Sequence, residues 1–164
     1  MSQGKLNVTL SADRTARVTR EFDAPPRLVW RAHTEPELVK KWLFGPDGWV
    51  LEHCMIDLRV GGTARYEMRR DRTYDVMGWT DTFREIAAPD RIVMTEIFDE
   101  DWTGGETLVT THFREREGGR TLLDMTILFS SNEARDNALK TGMAEGMEMG
   151  YARVDALIAA GVLV

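Results

Sequence analysis

Apolar and polar residues alternate through most of the middle of the chain. In residues 63–70, TARYEMRR, Ala64, Tyr66 and Met68 fall on one face and Arg65, Glu67 and Arg69 on the other. That is the period-two signature of a half-buried strand. The same reading predicts strands over 16–22, 49–58, 74–86, 91–98, 107–117 and 120–129. Turn-forming segments separate them: GPDG at 45–48, RVGG at 59–62, AAPD at 87–90 and GG at 118–119. Short strands joined by hairpins imply an antiparallel meander.

The pattern changes period in two places. In 23–44, Leu28, Val29 and Ala32 form a helical stripe. Asp23 stands where a cap belongs, and prolines fall in the first turn. Thr34 followed by Glu37 has capping-box spacing, so a second, short helix is predicted to end near Trp42. Residues 130–161 read as one long helix, with Ser130 and Glu133 as its capping box and Gly161 beyond its end. Gly142, Gly146 and Gly150 recur along one face of it. Glycine in a helix interior costs about 1 kcal/mol relative to alanine. Such a stripe signals either a close approach of backbone to sheet or space left for something else.

Strand parity gives candidate inward faces. Tyr66 and Met68 share one, Met77, Trp79 and Phe83 another, and Met125 and Ile127 a third with Leu123 and Phe129. Beside the glycine stripe the helix offers Met143, Met147, Tyr151 and Val154. Methionine and aromatic residues fill irregular cores and also line ligand pockets, so the pattern alone leaves both readings open. Met94 and Glu96 share parity with Ile92 and Phe98. An inward Glu96 would be a carboxyl in apolar surroundings, with a raised pKa suited to general acid–base work. A local twist, or an arginine at the rim, is the simpler account of it.

The 164 residues suit one domain, 1–164, with its core at about 16–160. A net charge of -6 argues against nucleic-acid binding. No segment approaches the roughly 20 apolar residues of a membrane helix, so no membrane insertion is expected. The N-terminus lacks the apolar run of a signal peptide, and the single Cys54 suits a reducing cytoplasm. His33, His53 and His112 lie on separate elements without HxH, HExxH or CxxC spacing, which supports no metal site. Phosphate-loop, dinucleotide and GxSxG motifs are absent, so no cofactor and no local nucleophile are expected. Asp57 and Arg59 beside Gly61 and Gly62 read as a structural pair at a tight turn with positive φ. Trp102, in the acidic loop DEDWTGGE (99–106), and the cluster Trp42, Leu43 and Phe44 read either as packing or as part of a cavity mouth.

Five segments in order, FDAPPRLVWRAHTEPELVKKW, DLRVGG, GWTDTFREIAAPDRIVMTE, ETLVTTHFREREGGRTLLDM and GMAEG, resemble the activator of Hsp90 ATPase homologue 1-like (AHSA1) domain family. That family lies within the START-like, Bet v 1-like (SRPBCC) superfamily. The resemblance runs from Ala16 to Ala160. It implies an α+β helix-grip fold: a curved antiparallel sheet of about six to seven strands wrapped around a long C-terminal helix, with two short helices after the first strand. It also implies an apolar cavity between sheet and helix, for which the parity faces supply the walls. The expected function is binding or carriage of a hydrophobic small molecule, with no catalytic residue beyond the weak candidate Glu96. The alternatives are a chaperone-interaction module of the Hsp90-activator kind and a cyclase or hydrolase using a cavity carboxylate. A homodimer is plausible for a chain of this type.

Overall fold

The computed structural model describes residues 5–163, Ser11 by its backbone alone. Its frame is a single antiparallel sheet of eight strands in the order β1-β2-β8-β7-β6-β5-β4-β3. The strands are β1 (Asn7–Ala12), β2 (Thr15–Phe22), β3 (Trp49–Ile56), β4 (Thr63–Arg70), β5 (Val76–Ala87), β6 (Arg91–Phe98), β7 (Thr107–Arg116) and β8 (Arg120–Leu128). Between β2 and β3 lie helices α1 (Pro26–Thr34) and α2 (Pro36–Val39), and α3 (Asn132–Lys140) and α4 (Met143–Ala159) follow β8.

One strand exceeds the predicted number. β1 lies at the sheet edge and outside the predicted strands, although Val8, Leu10 and Ala12 alternate with polar residues; Val8 packs partly against the core and Leu10 is exposed. It is held by backbone pairing with β2 through a turn in which Arg14 takes a positive φ. Register shifts in β1/β2, in β3/β4 and between Phe83 and Glu85 of β5 bend the sheet, as bulges do.

The helix ends differ from the sequence reading. α1 has Pro25 at its N-cap and Pro26 in its first turn, so Asp23 makes no cap. Thr34 is not a cap either: it closes α1 and donates its hydroxyl to the Trp30 carbonyl. Ser131, not Ser130, caps α3, accepting from the Ala134 amide, while Ser130 donates to the Gly104 carbonyl. The predicted single helix over 130–161 is two. It breaks at Gly142, whose φ of 90° is open to glycine at little cost and interrupts the ladder.

One buried cation ties α4 to the sheet. Arg20 of β2 is 1% exposed and donates to both Glu148 carboxylate oxygens, at 3.2 and 2.9 Å, and to Asp155 at 2.8 Å. Glu148 also accepts from the Leu6 amide at 2.9 Å. Tyr151 and Val154, one and two turns along, bury into the core cluster with Phe22 and Trp42. The helix is therefore held along the face toward β2. The turn carrying Met143 and Gly146 stands over the hollow of the sheet.

Candidate functional site

The hollow is a chamber of about 740 Å³ between the concave face of the sheet and α4. That is within the roughly 300–1,000 Å³ of small-molecule sites. Its wall is built strand by strand from alternating positions. β4 gives Tyr66 and Met68, β5 gives Met77, Trp79 and Phe83, β6 gives Met94, and β8 gives Met125 and Ile127. Helix α4 closes the chamber with Met143, Gly146, Met147 and Tyr151, and Gly142 lines it at the helix break. Of the residues picked out by parity and by the glycine stripe, Leu123 and Val154 do not lie on this wall but are packed in the core, and the others line it. Trp102 and Trp42 with Leu43 line it too, so the acidic loop and the segment after α2 both contribute to the chamber. Phe44 does not, and instead lies under the Arg153 guanidinium, 3.8 Å from its ring centroid.

The three glycines do three different things. Gly142 makes the break. Gly146 faces open space, with nothing within 4 Å of where a Cβ would stand. Gly150 admits the Trp42 ring and carbonyl, each 3.3 Å from its Cβ position. Trp42 is fixed there by donating its indole N–H to the Ala32 carbonyl at 2.8 Å.

Glu96 lies on the chamber wall rather than against a rim arginine. Its cross-strand partner is Asp81, which puts the two carboxyls side by side on one face of the sheet. Asp81 is only 2% exposed, and its Oδ1 has no protein partner. Burial, reinforced by the charge of Glu96, holds the Asp81 carboxyl well above the usual carboxylate range. Burial raises Glu96 too, and the adjacent Asp81 carboxyl partly offsets the rise. Both shifts favour a proton held by the pair, more strongly at Asp81. Two adjacent carboxyls in apolar surroundings do not both ionise, and such a pair titrates as a unit. It can donate one hydrogen bond and accept several. Asp81 went unrecognised in the sequence reading, although it sits in the alternation Met77, Trp79, Asp81, Phe83.

His33 is a further polar group on the wall. Its Nδ1–H donates to the Val29 carbonyl at 2.8 Å, which leaves Nε2 as an unpartnered acceptor. The ring packs among Trp42, Phe113 and Tyr151. Burial lowers its pKa from 6.5 to about 4, so it is neutral. Cys54 is buried, and burial pushes its thiol up to about 11, which makes it a poor nucleophile. His53 and His112 do not line the chamber. Among the described residues no group of three His, Cys, Asp or Glu is placed to hold a metal ion. No described helix is long and apolar enough to cross a membrane. Asp57 and Arg59 form an exposed pair at 2.8 Å. Gly61 has the expected positive φ, whereas Gly62 is needed because the Asp57 carbonyl leaves no room for a Cβ.

Comparison with known proteins follows the geometry. The model of the family described as activator of Hsp90 ATPase homolog 1-like protein matches residues 23–159. A crystal structure of a Rhodobacter sphaeroides protein is 32% identical, covering 95% of this chain and 99% of that one, with a TM-score of 0.88. A solution structure of an Arthrobacter aurescens protein is 25% identical over 95% of this chain and 91% of that one, with a TM-score of 0.79. The AHSA1-like protein of Aeromonas hydrophila, 21% identical over 88% of this chain and 94% of that one, shares the fold with a TM-score of 0.69. No curated protein matches the chain.

Proposed function

The chain belongs to the family of activator of Hsp90 ATPase homolog 1-like proteins, and we propose that this member binds or carries an apolar small molecule in the chamber between its sheet and α4. The observation that supports this most is the size of the space against its wall. The space is large enough for a small molecule and partly open to solvent, so it is filled, by water or by a guest. Methionine and aromatic side chains satisfy few of water's hydrogen bonds and suit an apolar guest better. Gly146 fits the same reading, because a helix gains from any side chain there and this one has none.

Titration with Nile red, a neutral apolar dye, tests the proposal. Saturation near one dye per chain is expected. Gly146→Leu, which projects a side chain into the open space, weakens binding at least tenfold while the circular dichroism spectrum holds and the melting temperature does not fall. Dye binding untouched by that substitution overturns the proposal.

A further inference from the structure

The chamber's polar groups are placed so that they select a ligand class. On the neighbouring strands β5 and β6, three same-face pairs follow one another: Trp79 with Phe98, Asp81 with Glu96, and Phe83 with Met94. The carboxyl pair is thus flanked on both sides by apolar side chains. A row of rings extends from it. Tyr66 stacks on Trp79 at 5.1 Å, Trp79 lies 5.4 Å from Phe98, and Phe98 lies 4.7 Å from Trp102. The remaining carboxylates of the lining are Glu100 and Glu145, both exposed, and the described lining includes neither lysine nor arginine. Fixed charge in this chamber is therefore of one sign.

That arrangement disfavours an anionic guest. A buried carboxylate or phosphate needs a cation or several donors to offset its lost hydration; the wall carries carboxyls and no lysine or arginine, and its donors are neutral ones such as the unpartnered Trp102 Nε1–H. It favours a cation. Asp81 belongs to the chamber lining and is almost wholly buried, and its Oδ1 has no hydrogen-bond partner among the described residues. This is an acceptor awaiting a donor, in a protein where buried polar atoms are normally bonded. Aromatic faces beside it attract a cation through their quadrupoles. We propose that the chamber takes an apolar molecule carrying one protonated amine, with the nitrogen on the Asp81–Glu96 pair and the Trp79 and Phe98 rings beside it. The inference rests on the chamber being a container, and it names what the container selects.

Three probes of equal chain length separate the two claims: decylamine, decanol and decanoate, each titrated by calorimetry at pH 7. The expected order is amine, alcohol, acid, with decylamine bound at least tenfold more tightly than decanol. In the double variant Asp81→Asn/Glu96→Gln the amine-to-alcohol ratio collapses to within about twofold. If decanol binds as well as decylamine, or decanoate binds best, the amine subsite is wrong and the container stands. If none of the three binds, the container reading itself fails. A preference for decylamine that survives the double variant also overturns the assignment to this pair. Should the double variant not fold, the order measured on the unaltered protein decides.

Discussion

Gly150 lies against Trp42 where α4 crosses the end of the chamber: a Cβ on Gly150 would stand 3.3 Å from the indole ring and 3.3 Å from the Trp42 carbonyl oxygen. One turn earlier, Gly146 faces nothing within 4 Å. The same substitution should therefore have opposite signs at the two positions. Gly146→Ala gains the helix propensity of alanine, up to about 1 kcal/mol. Gly150→Ala gains the same propensity but crowds a fixed ring, and overpacking of this kind costs about 1–3 kcal/mol. Urea denaturation of both variants checks this; equal gains at the two sites would contradict the geometry.

The carboxyl pair makes stability depend on pH in a definite direction. Asp81 is raised in the folded state relative to an exposed aspartate. The folded protein therefore holds a proton that the unfolded chain gives up above about pH 4. Its contribution is fully present below that pH and is lost as pH rises toward the folded pKa. Asp81→Asn removes this loss. Melts from pH 4 to 8 should show the variant gaining on the unaltered protein as pH rises, and a constant difference would contradict the shared proton.

His33 acts in the opposite sense. Its folded pKa of about 4 lies below 6.5, so the unfolded chain binds a proton first as pH falls. Stability from the neutral ring is present above about pH 6.5 and is lost as pH falls toward 4. At about 1.36 kcal/mol per pH unit this window is worth on the order of 3 kcal/mol. His33→Phe keeps a ring among Trp42, Phe113 and Tyr151 but cannot titrate. Urea denaturation at pH 7 and pH 4 should show the unaltered protein losing more stability than the variant.

Helix α4 depends on Arg20. Removing one member of a buried ion pair leaves the partner charges unpaired, at a cost of about 3–5 kcal/mol. Arg20→Met should lose that much, because Glu148 and Asp155 both bond to it. Arg69 pairs with Glu52 on the exposed side of β3 and β4. Exposed pairs contribute about 0–1 kcal/mol, so Arg69→Met should change stability by no more than that. Denaturation midpoints compare the two directly.

Much of this was legible in the alternation of the chain. Side chains on one sheet face recur every second residue, so Tyr66 and Met68, or Met77, Trp79 and Phe83, could be grouped before any coordinates. Asp81 broke the pattern by chemistry rather than position, and attention to apolar letters alone passed over it. Glu96 was grouped by parity, but its partner lies on another strand, and register is not written in either strand alone. The break at Gly142 was hidden because four-residue spacing looks continuous with a helix. β1 was passed over although Val8, Leu10 and Ala12 alternate; at the sheet edge only Val8 of these packs against the core, and Leu10 stays exposed. The caps of α1 and α3 each moved by one or two residues, since neighbouring prolines and serines compete for one role.

The central claim is that an apolar guest occupies the space under α4, and the methionines report on it directly. Met68, Met77, Met94, Met125, Met143 and Met147 line the chamber, whereas Met55 on β3 is 63% exposed and lies outside it. With 13C-labelled methionine methyl groups, nuclear magnetic resonance spectra recorded while decanol is added should show the lining methyls shifting together to saturation and Met55 holding still. Lining methyls that do not move, or a Met55 that moves with them, would contradict the account.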